Sequence, residues 1–212
     1  MHVVFLGPPA CGKGTQSSAL VERFGYQHLS TGDLIRSEIA KATNTGEELK
    51  STINTGKLVD NKIVNELVQK YVEKHTGIGV LFDGYPRTID QALFVDGLLK
   101  EHGTKIKRVF YFDIEPDELM KRILNRVSCA SCGEVYNLVT NPTKVEGVCD
   151  SCGSTNLVRR ADDNEAVLAN RISSYFTETK PLKDFYQQRG LLTVVDATLP
   201  VHKVTEEIVN AL

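Results

Sequence analysis

The sequence predicts an α/β fold, a parallel sheet with helices packed on both faces, and three observations predict it. Short apolar runs that read as buried strands alternate with stretches of helical periodicity. The first run, Val3-Val4-Phe5-Leu6, opens directly into the glycine-rich segment Gly7-Pro-Pro-Ala-Cys-Gly-Lys-Gly-Thr15. Two stretches break the alternation, 30–59 and 127–160, and both read as insertions at one edge of the sheet. The domain plan is therefore a core of 1–29, 60–126 and 161–212, a helical insertion at 30–59 and a small lid-like insertion at 127–160.

Taken in order, Val3–Leu6 is a strand and Gln16–Phe24 the helix that follows its glycine-rich turn. Tyr26–Leu29 is a weaker strand, Leu34–Ala40 a helix, and Ile63–Val72 another after the first insertion. Val80–Phe82 and Val109–Phe112 are strands separated by the helix Gln91–Leu99, whose start carries Thr88 with Gln91 three residues on, a capping box. Leu119–Leu124 is helical and leads into the second insertion, where Glu134–Val139 reads as a hairpin strand. Val167–Phe176, the strand Leu191–Val195 and the helix Val204–Leu212 complete the alternation.

The segment at 7–15 has the spacing of a phosphate-binding loop, Gly7, four residues, then Gly12-Lys13, with one departure. Gly14 stands where Ser or Thr usually follows the lysine, and Thr15 comes one residue later. Gly7, Gly12 and Gly14 let the backbone turn tightly and approach a polyphosphate, while successive amides and the N-terminus of the next helix supply positive potential. Lys13 can reach the outer phosphates and the Thr15 hydroxyl can meet a Mg²⁺ ion. The sheet is thus expected to be of the P-loop NTPase type. Asp83 ends the strand Val80–Phe82, where an acid can hold Mg²⁺ through water, and Arg87 follows on the same loop. Arg36 lies one turn into a helix that starts near Thr31–Asp33, where it can clamp an anion.

A chain of 212 residues can bury a full core, and its net charge of −2 gives no global pull toward nucleic acid or anionic membrane. No apolar run approaches the roughly 20 residues a membrane span needs. The N-terminus enters a strand at once and leaves no room for a secretory leader, so a cytoplasmic protein is expected. In that setting the five cysteines point to metal or free thiols, not to a disulfide framework.

Four of those cysteines form two CxxC pairs, Cys129/Cys132 and Cys149/Cys152, with 16 residues between the pairs and a glycine just after each. This is zinc-ligand spacing, and four thiolates close a tetrahedron with no open position, so the expected Zn²⁺ is structural. Such a site supplies an apparent ~10–16 kcal/mol of folding free energy at neutral pH, enough to staple an insertion too small for its own core. Cys11, inside the phosphate loop, is expected to be a small residue with no chemical part. Arg122, Arg126, Arg159, Arg160 and Arg171 bracket the insertion or sit just beside it, an arrangement suited to ligands with several phosphates. Asp162 and Asp163 can pair with these arginines or take part in hinging. No Ser-His-Asp or Cys-His arrangement has catalytic spacing, and none is needed if the acceptor is itself a phosphate whose oxygen is already ionised.

Taken together, GPPACGKGTQ at 7–16, HLSTGDLIR at 28–36, GKLV at 56–59, DGYPRT at 83–88 with Gln91, the four-cysteine insertion and RADDNE at 160–165 resemble the adenylate kinase family in its bacterial form with a zinc-bearing lid. The likeness runs over essentially the whole chain. It implies a reversible, Mg²⁺-dependent transfer of a phosphoryl group from ATP to AMP, giving two ADP. Ala10, Cys11, Gly12, Lys13, Gly14 and Thr15 would cradle the ATP phosphates. Arg126, with Arg122, would meet ATP from the lid side, Val135 and Tyr136 would lie near its base or ribose, and Leu199 would give a backbone contact to adenine. Thr31, Arg36, Lys57, Leu58, Val59, Gly84, Tyr85, Pro86, Arg87 and Gln91 would surround AMP, making 30–59 the AMP-binding insertion. Arg160 and Arg171 would reach toward AMP and the transferring phosphoryl, so Lys13, Arg87, Arg122, Arg126, Arg160 and Arg171 form the expected catalytic set. The resemblance also implies a monomer. Ala10 replaces the family's usual Gly, Tyr85 the common Phe, and Cys152 makes the cluster all-cysteine where some relatives carry Asp. The alternatives are a UMP/CMP kinase, or a zinc-ribbon protein that senses nucleotides and binds nucleic acid.

Overall fold

The computed structural model describes residues 1–41, 43–159 and 163–212. Five parallel strands form the central sheet: β1 (His2–Leu6), β2 (Gln27–Ser30), β3 (Val80–Asp83), β4 (Ile106–Asp113) and β8 (Leu192–Asp196), in the order β2-β3-β1-β4-β8. Three shorter strands, β5 (Arg126–Cys129), β6 (Val135–Asn137) and β7 (Leu157–Val158), form a separate antiparallel sheet in the order β6-β5-β7. β1 sits in the middle, with β2 and β3 on one side and β4 and β8 on the other. Its carboxyl end is therefore the switch point of the sheet, where open α/β folds bind ligands.

The inner strands β1 and β3 and the Val109–Phe112 stretch of β4 are apolar and buried because both faces are covered there. Val3 and Phe5 point into one core layer with Leu81, Phe110 and Phe112, while Val4 and Leu6 point into the other with Phe82, Val109 and Tyr111. The first layer is closed by α1 (Lys13–Phe24) and α9 (Val201–Asn210) through Leu20, Val204 and Ile208. The second is closed by α4 (Asn61–Lys74) and α5 (Ile89–Glu101), by α2 (Thr31–Ala40) and α3 (Asn44–Asn54) of the first insertion, and by α8 (Leu182–Gln188). The α6 helix (Pro116–Leu124) leads from the core into the three-stranded sheet, and α7 (Glu165–Ser174) returns from it.

Strand and helix expectations agree with this order, and the differences have local causes. The capping box at α5 is half formed. Thr88 Oγ1 accepts from the Gln91 amide at 3.2 Å, but the Gln91 side chain turns away to accept from the Arg87 amide at 2.8 Å and donate to Asn61 Oδ1 at 2.7 Å. Tertiary partners thus override the local cap. The helix expected to end at Phe176 passes from α7 into a π-helical turn at Tyr175–Thr179, where the Lys180 amide donates to Tyr175 O at 2.8 Å. The α8 helix had no counterpart in the sequence reading, although Leu182 and Tyr186, four apart, are both fully buried. The strand expected over Glu134–Val139 contracts to Val135–Asn137, because the Asn137 side chain accepts from the amides of Val139 and Thr140, both at 2.9 Å, and turns the chain.

Candidate active site

The site starts from register. Phe5 pairs with Asp83 across β1 and β3, so the segment leaving β1 emerges beside the acid that ends β3. That segment needs Gly7, because a Cβ there would lie 2.8 Å from Cys11 Sγ and 2.9 Å from Phe112 Cβ. Ala10 adopts a left-handed φ of 61°, a conformation that costs a residue with a Cβ roughly 1–2 kcal/mol. A glycine at that place, which the resemblance makes usual, would avoid this cost. No side chain caps the start of α1, which leaves its first amides facing the cavity.

Lys13 curls back over the loop. Its Nζ donates to Gly7 O at 2.9 Å and to Pro8 O at 2.8 Å, and lies 3.4 Å from Cys11 Sγ. Cys11 thus has a polar partner, and burial pushes its thiol above the usual range against the pull of the Lys13 charge.

A cavity of about 940 Å³ opens above the loop. Among the described residues, six cationic side chains line it: Lys13, Arg36, Arg87, Arg122, Arg126 and Arg171. They come from α1, α2, the loop after β3, α6, β5 and α7, and each arginine is held by a named contact. Arg36 Nη2 donates to Asp33 Oδ1 at 2.6 Å, Arg87 Nε to Gly84 O at 2.8 Å, and Arg122 Nε to Glu118 Oε1 at 3.4 Å. Arg126 forks onto Asp163, its Nε donating to Oδ2 at 2.8 Å and its Nη2 to Oδ1. Arg171 Nη1 lies 3.8 Å from the same Oδ1. The Asp163 side chain is only 2% exposed and is paired with these arginines, the first of the two parts expected for it. Beside the loop, Asp83 Oδ2 lies 3.3 Å from His28 Nε2. A smaller pocket of about 80 Å³ adjoins the main cavity and is lined by Thr31, Lys57, Val59 and Gln91 among others, with Arg36, Leu58, Gly84, Arg87 and Arg171 shared between the two.

The structure gathers almost every expected residue. Ala10, Cys11, Gly12, Gly14, Thr15, Asp83, Pro86, Val135, Tyr136 and Leu199 line the main cavity with the cations. Tyr85 departs from its expected place. It is fully buried in the core, its hydroxyl donating to Asn65 Oδ1 at 2.7 Å, and it lines neither pocket. An extra hydroxyl over Phe is tolerated there because Asn65 satisfies it. Arg160, and Asp162 beside it, lie outside the described residues. Three further residues line the cavity without being among the expected site residues: His28 against Asp83, Glu134, whose carboxylate oxygens both lie 3.5 Å from Ser18 Oγ of α1, and Tyr175, whose hydroxyl is 2.7 Å from that of Tyr111. A lone histidine or tyrosine carries no spacing signal, so only the fold could place them.

The four cysteines form one cluster, with all sulfurs within 4.8 Å of one another and the Cys129–Cys152 and Cys132–Cys149 pairs at 3.6 Å. A disulfide needs about 2.05 Å. Four sulfurs about 2.3 Å from a central ion would stand about 3.8 Å apart, so the cluster fits a tetrahedral metal. Two matching turns build it. Cys129 and Cys149 each accept through their carbonyl from the amide four residues on, Gly133 and Gly153, at 2.9 Å, and each donates through its own amide at 2.8 Å to Glu134 O or Ser154 O. Within each turn further amides aim at the first sulfur. The Cys132 amide, ahead of that of Ser131, draws the Cys129 thiol down to about 6. The Tyr136 hydroxyl leads in lowering Cys149. Around this cluster, among the described residues, the small antiparallel sheet has a core of only Val127, Cys129, Tyr136 and Cys149, with Leu157 packed against it.

Comparison with known proteins agrees with the geometry. The family model described as adenylate kinase matches residues 5–191. An adenylate kinase of Finegoldia magna is 41% identical over all of this chain and 99% of its own length. Those of Fervidobacterium nodosum and Staphylococcus aureus are 38% and 39% identical, over all of this chain and 97% and 99% of theirs. Such coverage, with a phosphate loop facing a cavity of converging cations, settles the matter: the chain belongs to the adenylate kinase family.

Proposed function

We propose that the main cavity holds ATP between the phosphate loop and the lid, and that the smaller pocket with its shared border holds AMP. The enzyme is an ATP:AMP phosphotransferase, and ATP, AMP and ADP are the ligands its family implies. The observation that carries the assignment is the convergence, among the described residues, of six cations on the cavity above the phosphate loop.

On this reading the loop amides and Lys13 hold the donor β- and γ-phosphates, and Lys13 exchanges its carbonyl contacts at Gly7 and Pro8 for phosphate oxygens. Arg36 and Arg87 hold the AMP phosphate from the side of α2 and β3. Arg122, Arg126 and Arg171 cover the space between the nucleotides, where charge spreads over the transferring phosphoryl, and Arg160 is expected to join them. The AMP phosphate oxygen attacks in line. It is already ionised and needs no general base, so the protein's work is alignment and neutralisation. Mg²⁺ travels with ATP in this family, and Asp83 is the carboxylate placed to hold its water shell, with Thr15 nearby. Val135, Tyr136 and Leu199 supply the walls for the ATP base and ribose, and Thr31 and Gln91 those for adenine of AMP.

The same reading assigns 30–59 as the AMP-binding insertion, 127–160 as the lid and the remainder as the core. The four-cysteine cluster takes Zn²⁺ in a structural role. Its sulfurs fit that ion, and no fifth group is needed. A cytoplasmic monomer is the form most in keeping with reduced, metal-ready thiols and with the family. In the described residues no helix is long and apolar enough to cross a membrane. Purified protein given ATP, Mg²⁺ and a panel of monophosphates should form ADP from AMP far faster than from UMP, CMP or GMP. Equal rates with a pyrimidine acceptor would refute the AMP assignment.

A further inference from the structure

We propose that the Tyr136 hydroxyl is a positioning group for the lid metal, donating to the Cys149 sulfur and holding that thiolate in its ligating orientation. Tyr136 Oη lies 3.3 Å from Cys149 Sγ, and it accepts from the Asp150 amide at 2.8 Å. A phenol has one proton to give. With the oxygen already accepting from Asp150, that proton goes to the sulfur, and a metal-bound thiolate carries none of its own to return. The direction of the bond is thereby fixed as O–H to S⁻.

The two turns of the metal site make the point by comparison. They repeat each other in their backbone hydrogen bonds, yet of the four cluster sulfurs only that of Cys149 receives, among the described residues, a side-chain donor other than a thiol. Register puts that donor in place. Tyr136 on β6 pairs with Val127 on β5, two residues before Cys129, so the strand pair that starts one turn also carries the clamp of the other. The residue is 5% exposed and lines the main cavity next to Val135. One residue therefore borders both the nucleotide space and the metal centre. Outer hydrogen-bonding partners of this kind fix ligand orientation, and losing one typically lowers metal affinity about 10–100-fold.

The inference rests on the reading of the cluster as a metal site, and the test separates the two. Tyr136→Phe keeps the ring and removes the hydroxyl, while water can replace it at the exposed Asp150. Zn²⁺ affinity is measured by competition with a chromophoric chelator for wild type and variant, and the cobalt-substituted proteins are compared by absorption. The expected result is Zn²⁺ binding about 10–100-fold weaker in the variant, with the sulfur-to-cobalt charge-transfer band shifted to lower energy because one thiolate has lost its donor. The metal-free proteins should melt alike. Equal Zn²⁺ affinity, or weaker affinity with an unmoved cobalt band, would overturn the inference, the latter assigning Tyr136 to packing alone. If wild type itself bound no Zn²⁺ or Co²⁺, the metal reading would fall and take this inference with it.

Discussion

Replacing Asp163 by Asn tests how the cationic cavity is held together in the absence of nucleotide. Asp163 is 2% exposed and faces, among the described residues, the guanidiniums of Arg126 at 11% and Arg171 at 22% exposure. The substituted amide would keep the shape but present an N–H₂ to donors and leave two cations facing each other. Removing one partner of a buried pair costs about 3–5 kcal/mol. Arg171 retains some contact with water, which places the loss near the lower end, about 3 kcal/mol. For a chain of this length that lowers Tm by about 6–12 °C, at roughly 2–4 °C per kcal/mol. The informative measurement is the same melt with a saturating bisubstrate mimic, two adenosines joined by five phosphates. If Arg126 and Arg171 face the phosphates, the ligand brings the missing negative charge, and the Asp163→Asn variant should gain more in Tm than wild type, closing at least half the gap. A deficit of the same size with and without the mimic would refute the placement of these arginines on the polyphosphate.

Other perturbations probe other parts. Lys13→Met and Arg87→Ala should each lower kcat by at least about 10²–10³-fold, the scale of one lost transition-state charge contact, with melting temperatures near wild type; near-normal turnover in either would remove that residue from the chemistry. Chelating the lid metal, or changing Cys129→Ser together with Cys149→Ser, should abolish hydrogen-exchange protection at the Gly133 and Gly153 amides while leaving β1 and β4 protected. The two buried side chains of the small antiparallel sheet's core other than the cysteines, Val127 and Tyr136, contribute at most about 3–6 kcal/mol, against about 10–16 from a structural zinc, so unchanged protection would defeat the stapling argument. His2 offers a pH test. Its Nδ1 accepts from the Val80 amide at 3.1 Å, and burial, with a lesser push from the N-terminal ammonium, lowers it to about 4. Because the unfolded chain binds the proton first, stability should fall by about 3 kcal/mol as pH drops from 6.5 to 4 and level off below, at about 1.4 kcal/mol per unit. His2→Asn should flatten that part of the profile, and an identical profile in the variant would show that His2 does not titrate there.

Much of this was legible in the chain because backbone chemistry writes itself into spacing. A loop that needs Gly7 against Phe112, and turns that repeat around Cys129 and Cys149, can be made by few sequences, so their residues announce them. Alternation of apolar runs likewise located β1, β3 and β4, which are buried on both faces. Contacts between distant side chains leave no such trace. Asp163 could be seen as a partner for arginines, but not that it would serve Arg126 and Arg171 at once. Tyr85 looked like part of the AMP wall by its neighbours Gly84 and Pro86, yet its ring turns into the core to meet Asn65, twenty residues away. The Tyr136 hydroxyl was invisible for the same reason, since its partner sulfur lies 13 residues on in a separate turn. The α8 helix hid because its buried stripe is only Leu182 and Tyr186 in a mostly polar segment.

In the proposed function one cavity holds two nucleotides end to end, under cations of which six converge among the described residues. Calorimetric titration with the five-phosphate bisubstrate mimic tests it most directly. The account predicts one molecule bound per chain, at micromolar Kd or tighter and far more strongly than ATP or AMP alone, with affinity reduced in Lys13→Met and Arg87→Ala. No binding at micromolar concentration, or an affinity no better than that of ATP alone, would contradict it.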